Sequence, residues 1–151
     1  MPLSSAMMLH SFARPSMIDT AVAQWHRALA ARDARVLDTL LADDVVFYSP
    51  VVFAPQVGAI TKQYLATAMR VFGNDTFRYV REIVGERDAL LEFTVEIDGV
   101  VVNGVDLLHW NDAQQLTEFK VMLRPLKAVQ MIHERMAAML KASAGGTRGD
   151  V

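Results

Sequence analysis

EFTVEIDG (92–99), VVVNGVDLLHW (100–110), NDAQ (111–114) and QLTEFKVML (115–123) read in succession as a strand with its turn, a second strand, a loop and a third strand. Asp98-Gly99 between two β-rich runs is the two-residue turn that favours positive φ at both central positions, so Ile97 should face Val100 across the hairpin. Pairing then runs Val95 with Val102, Phe93 with Gly104 and Leu91 with Asp106. Because side chains alternate along a strand, one face collects Leu91, Phe93, Val95, Ile97, Val102, Asp106, Leu108 and Trp110, and the other collects Glu92, Thr94, Glu96, Asn103 and His109. The first set belongs inside. A four-residue loop at 111–114 would add Thr117, Phe119, Val121 and Leu123 to that face and set Phe119 opposite Asp106, while Glu118 and Lys120 point away.

Asp106 is then the one ionisable group on a face of Leu, Val, Phe, Ile and Trp. Removing a carboxylate from water raises its pKa unless hydrogen bonds or a cation compensate, so the residue is either a buried neutral acid or the polar point of a wet cavity. Two roles fit such a group. It is a general acid, base or hydrogen-bond donor to a ligand, or it is bonded structurally to a neighbouring backbone or hydroxyl group.

The 151-residue length, with 52% hydrophobic and 21% charged residues, suits one domain with a substantial core. A net charge of −2, a pI near 6.0 and the lack of a Lys/Arg cluster argue against nucleic acid as a partner. With no cysteine, disulfides, thiolate zinc sites and cysteine nucleophiles are excluded together, which fits a reducing, cytoplasmic setting. No apolar run approaches the ~20 residues of a membrane helix. The start, MPLSSAMMLHSFARPS, lacks a basic segment ahead of its apolar patch, so 1–16 reads as a flexible arm and not as a signal peptide.

The first helix should span 18–31 with Asp19 as N-cap and Ile18, Val22, Trp25 and Leu29 as its buried stripe, leaving His26 toward solvent. Asp33 opens a second helix with Val36, Leu37, Leu40 and Leu41 inward and Asp43-Asp44 at its solvated end. A short strand at 45–49 stops at Pro50, and 51–59 reads as a loop of the kind that folds over a pocket mouth. Thr61 serves as an N-cap, with Ile60 and Leu65 as a hydrophobic staple, for a third helix ending at Phe72 and Gly73. The register of the strand at 77–84 stays open. A four-residue loop puts Arg78 and Glu82 on the pocket face, and one residue more puts Phe77, Tyr79 and Ile83 there, which burial favours. After Pro125 a last helix at 125–141 carries Leu126, Val129, Ile132 or His133, Met136 and Leu140, and 143–151 reads as a disordered tail.

Helices, a short strand, a helix and a meander of long antiparallel strands predict an α+β domain over 17–142, with helices covering the concave face of a strongly curved sheet. The runs AVAQWHRALAARDARVLDTLLADDVVFYSP, TKQYLATAMRVF and VNGVDLLHWNDAQQLTEFKVMLRPL resemble the SnoaL-like branch of the nuclear transport factor 2-like superfamily. The resemblance implies a cone-shaped pocket for a hydrophobic small molecule and a homodimer packed through the outer sheet face, where Val101, Val105, Leu107 and Met122 lie. Ketosteroid isomerases of that superfamily use the Asp of an Asp-Pro on the first strand, a Tyr on the first helix and a protonated Asp on a long strand. Asp106 matches the strand Asp, whereas Ser49 stands at the base position and Trp25 at the tyrosine position. Serine does not abstract a carbon-bound proton unaided, and indole does not donate as a phenol does. The Arg-x-Asp pattern of the epoxide hydrolases is missing too, since Gly104 stands two before Asp106.

His10, His26, His109 and His133 lie on separate elements without ligand or triad spacing, and no phosphate loop, zinc motif or dinucleotide fingerprint occurs, so neither metal nor cofactor is expected. Two readings follow. One is a cofactor-independent lyase, isomerase or cyclase acting on an apolar carbonyl-bearing substrate through Asp106, with Trp25, Phe93, Leu108, Trp110, Phe119 and Val121 as walls and Tyr48, Ser49 or Tyr64 supplying a hydroxyl. The other is a ligand-binding or dimerisation module without turnover. A second titratable or phenolic group within reach of Asp106 would separate them.

Overall fold

A computed structural model describes residues 20–145, with side chains through Ala142. The expected N-terminal arm, Ile18 and Asp19 at the start of the expected first helix, and most of the expected tail lie outside the described residues. The elements are α1 (Ala21–Ala31), a 3-10 turn (Ala34–Val36) running into α2 (Leu37–Leu40), β1 (Leu41–Tyr48), β2 (Gln56–Val57), α3 (Ala59–Phe72), β3 (Arg78–Val84), β4 (Asp88–Ile97), β5 (Val100–Trp110), β6 (Leu116–Arg124) and α4 (Leu126–Gly145). Six strands form one curved, open sheet in the order β2-β1-β6-β5-β4-β3, antiparallel except where β1 runs beside β6.

The β4–β5 hairpin has the register its turn demands. Asp98 and Gly99 both take positive φ, 52° and 76°, and Leu91 pairs with Asp106, Phe93 with Gly104 and Val95 with Val102. Gly104 is glycine for packing reasons: a Cβ there would lie 2.4 Å from Cζ of Phe93 and 2.7 Å from Cδ2 of Leu123. The alternation then buries Leu91, Phe93, Val95, Ile97, Val102, Asp106, Leu108 and Trp110.

The β5–β6 pairing differs from the expected one. Trp110 pairs with Leu116, so the loop holds five residues, and a bulge then sets His109 against Glu118. The two changes slide β6 by two positions. Phe119 keeps its inward face but lies opposite Leu108, and Val121 faces Asp106 instead. Thr117 is displaced by the bulge, and Leu116 takes the buried place.

Other local expectations are corrected where long-range packing outweighs short-range signals. Thr20 caps α1, its hydroxyl accepting from the Ala23 amide. Chain pairing reaches further back than the strand at 45–49: β1 starts at Leu41, so Asp43 and Asp44 are exposed strand residues and not a helix end. Thr61 is not a cap. The helix already begins at Ala59 after Gly58, and the fully buried Thr61 hydroxyl serves the carbonyls of Gln56 and Val45, while Ile60 stays half-exposed. In α4, Ile132 and not His133 faces inward with Ala128 and Met136, and Leu126 is exposed.

Two apolar clusters fill the space between helices and sheet. One gathers Trp25, Leu37, Phe47, Leu65, Leu91, Leu108, Trp110, Leu116 and Phe119 beneath α1 and α2. The other gathers Phe93, Val95, Ile97 and Val102 beneath Ala128, Ile132 and Met136 of α4. Tyr64 and Tyr79 pack against both, so the seam between the clusters runs through two phenols.

Candidate functional site

Three elements converge at that seam. The helical stripe of α1 turns Trp25 inward, where it is 4% exposed and meets Phe119 edge to face at 4.9 Å. From the edge strand β3 comes Tyr79, and β5 contributes Asp106. The indole Nε1–H of Trp25 donates to the Tyr79 hydroxyl at 2.7 Å, and that hydroxyl donates to Oδ2 of Asp106 at 2.6 Å. An indole only donates, so the phenol oxygen receives its proton, and toward the Asp106 carboxylate, which only accepts, the phenol commits its own single proton.

Asp106 is 5% exposed. Burial raises its pKa from 3.8 to about 7, and the hydrogen bond from Tyr79 works in the opposite direction without cancelling it. Burial also pushes the Tyr79 hydroxyl well above 10, and the adjacent carboxyl group adds to the effect, so Tyr79 stays neutral. No fully buried side-chain oxygen or nitrogen among the described residues lacks a partner, so the second carboxyl oxygen of Asp106 keeps access to the cavity it lines.

That cavity is lined by Trp25, Leu29, Leu65, Ala68, Met69, Phe72, Phe77, Tyr79, Phe93, Asp106, Phe119 and Val121, and its volume is about 40 Å³. A water or the tip of a ligand fits there. Leu29, Phe72, Phe77 and Tyr79 also border a wider vestibule of about 300 Å³ that opens past His26, Arg32, Asn74 and Asp75. The two together reach the size of ordinary small-molecule sites. In the vestibule wall His26 Nε2 lies 2.5 Å from Glu82 Oε1, with both side chains about a third exposed.

Of the residues singled out from sequence, Trp25, Phe93, Phe119 and Val121 surround Asp106 in this cavity. Leu108 and Trp110 lie in the adjoining core, and Tyr64 packs against Phe47 with ring centroids 6.2 Å apart. Tyr48 and Ser49 border a separate groove with Phe53 and Met122, where Lys120 lies over the Tyr48 ring at 4.6 Å and the Ser49 hydroxyl accepts from the Val51 amide. The hydroxyl beside Asp106 is therefore that of Tyr79, which sequence reasoning reached only as one of two registers. A larger groove on the outer sheet face carries His109 and Asp88, but these are exposed and paired with each other at 2.7 Å. The apolar cavity with its convergent buried polar groups is the better candidate. No group of three or more His, Asp or Glu among the described residues is arranged to hold a metal ion, and no described helix is long and apolar enough to cross a membrane.

A family profile described as the SnoaL-like domain matches residues 22–119. Among solved structures, a steroid delta-isomerase from Pseudomonas aeruginosa is similar at 32% identity and a TM-score of 0.78, over 83% of this chain and 92% of that one. A protein with a cystatin-like fold from Silicibacter pomeroyi is similar at 29% identity and a TM-score of 0.76, over 82% of this chain and 87% of that one. No curated protein sequence matches significantly. With the profile covering most of the domain and the fold shared with these structures, the chain belongs to the SnoaL-like family of the nuclear transport factor 2-like superfamily.

Proposed function

We propose that the protein is a cofactor-independent enzyme of the isomerase, lyase or cyclase type, acting on an apolar substrate whose carbonyl oxygen is held by the neutral carboxyl group of Asp106. The observation that carries this reading is the one-way chain Trp25→Tyr79→Asp106 ending at an apolar cavity. Tyr79 occupies Oδ2, so when Asp106 is protonated its proton resides on the oxygen open to the cavity and can be donated to a ligand. A carboxylic acid whose pKa lies near neutrality donates strongly and is still protonated in a useful fraction of molecules. Similarity to a steroid delta-isomerase supports chemistry in which a carbonyl is polarised and a neighbouring C–H proton moves. The substrate is larger than the inner cavity alone would hold, because only a ligand's tip fits beside Asp106 and its body has to lie in the vestibule.

A second reading, a binding module without turnover, draws on one fact: among the described residues the inner cavity offers no ionisable side chain besides Asp106 and Tyr79. The test is exchange of carbon-bound protons in deuterated buffer, followed by NMR, with octan-2-one and cyclohex-2-enone as probes. The enzyme reading expects deuterium incorporation that falls above about pH 7, as Asp106 ionises, and that Asp106→Asn abolishes. Binding of both ketones with no exchange would establish the module instead. In either case a homodimer formed through the outer face, where Val101 and Met122 are exposed, is the assembly we infer.

A further inference from the structure

The bulge in β3 has a purpose beyond placing Tyr79. Up to Tyr79 the strand pairs with β4 so that Tyr79 shares the inward face of Phe93, and one extra residue between Tyr79 and Arg81 then turns Glu82 inward beside Leu91. Without the bulge, Tyr79 and Glu82 would point to opposite faces of the sheet, since their separation in the chain is odd. With it, both reach α1. Glu82 meets His26 at 2.5 Å, and the His26 ring stands edge-on to Tyr79, centroids 5.2 Å apart. A carboxylate accepts hydrogen bonds, so it holds the proton of His26 on Nε2 and leaves the Nδ1 lone pair of the neutral ring unclaimed by Glu82. This imidazole borders the vestibule, while Asp106 borders the inner cavity, and Tyr79 lines both spaces.

We propose that His26, positioned by Glu82, is the proton acceptor that works with Asp106. The proposal rests on the enzyme reading above and names the second group that reading lacks. The carbonyl oxygen of a ketone accepts a hydrogen bond from Asp106, and Nδ1 of His26 takes a proton from the α-carbon or, in a conjugated enone, from the γ-carbon farther along the chain. The C–H pair becomes a C=C π bond, the carbonyl π pair moves onto oxygen as an enolate held by Asp106, and the new N–H makes an imidazolium beside Glu82. Return of the proton to the same carbon regenerates the substrate, return to another carbon isomerises it, and exchange with solvent labels it. The substrate class is an enolisable ketone, or better an enone, whose transferable C–H lies on the vestibule side of its carbonyl.

Deuterium exchange into octan-2-one and cyclohex-2-enone is measured for the parent protein, His26→Ala, Glu82→Gln and Asp106→Asn, each checked for its fold by circular dichroism. His26→Ala should lose about a hundredfold or more in rate and regain part of it when free imidazole is added. Glu82→Gln keeps a hydrogen-bond acceptor for Nε2 but not the charge beside the imidazolium. It should lose roughly tenfold, in the saturating rate and not in the half-saturating ketone concentration. A rate in His26→Ala equal to the parent's, or a loss that imidazole leaves untouched, overturns the assignment, and an unchanged rate in Glu82→Gln overturns the positioning role. In those cases loss of exchange in Asp106→Asn leaves the enzyme reading standing. Absence of exchange in the parent protein overturns both.

Discussion

Replacing Asp106 with Asn isolates the free energy stored in burying that carboxyl group. In the unfolded chain the group ionises near 3.8, and in the folded protein near 7. Between those values the unfolded state has released a proton that the folded state still holds, so stability falls as pH rises through this window, and it levels off above about 7. Three units at ~1.36 kcal/mol each give on the order of 4 kcal/mol in all, with roughly 2–3 kcal/mol of it between pH 5 and 8. Asn cannot ionise, yet its carbonyl oxygen can still accept from Tyr79. Its stability relative to the parent should therefore rise by about 2–3 kcal/mol from pH 5 to pH 8, close to 10 °C in Tm for a domain of this size. Urea unfolding of both proteins at the two pH values measures this, because contributions from all other titrating groups cancel in the difference. A gap that is the same at pH 5 and pH 8 would refute the reasoning and show that Asp106 ionises in the folded protein much as it does in water.

Three further outcomes follow from the same contacts. Tyr79→Phe removes the hydrogen bond that lowers the Asp106 pKa, so the carboxyl group should titrate higher still by NMR. The Trp25 indole N–H also loses its acceptor, at a cost of about 1–3 kcal/mol seen in chemical unfolding. Gly104→Ala drives a methyl group into Phe93 and Leu123, and because Phe93 is wedged against Phe72 and Phe77 it should cost roughly 1–3 kcal/mol and alter ketone binding to the cavity Phe93 lines. Val101→Lys with Met122→Glu places charges on exposed positions of the outer sheet face, and should convert a dimer to monomers in sedimentation velocity while leaving the circular dichroism spectrum unchanged.

How far the sequence could be read depends on where strict alternation holds. Across β4 and β5 the Asp98-Gly99 turn sets a one-to-one pairing, and every inward residue from Leu91 to Trp110 follows from it, Asp106 included. Such a turn has a chemical signature in the chain, namely two residues that tolerate positive φ. A bulge has none here. The bulge in β6, together with the longer loop, slid Phe119 from Asp106 to Leu108, and the inward face survived only because two one-residue changes cancel in a two-residue period. In β3 each of the two open registers is realised in half of the strand. Tyr79 faces inward as one register requires, and Glu82 faces inward as the other does.

The pair that no single register could give is thus the one that a bulge re-aims, Tyr79 beside the buried acid and Glu82 beside His26. A regular edge strand could turn Tyr79 or Glu82 to the helix-covered face but not both. The extra residue costs β3 some of its pairing, yet it brings a phenol to Asp106 and a carboxylate to His26 from a single strand. Packing alone does not call for this, since Ile83 is left 59% exposed beyond the bulge while Glu82 is turned inward. Glu82 is itself exposed, and what distinguishes its place on that face is its contact. That contact is the imidazole of His26, which borders the vestibule edge-on to the same Tyr79 that reaches Asp106, and it is the position our proposal assigns to the proton acceptor.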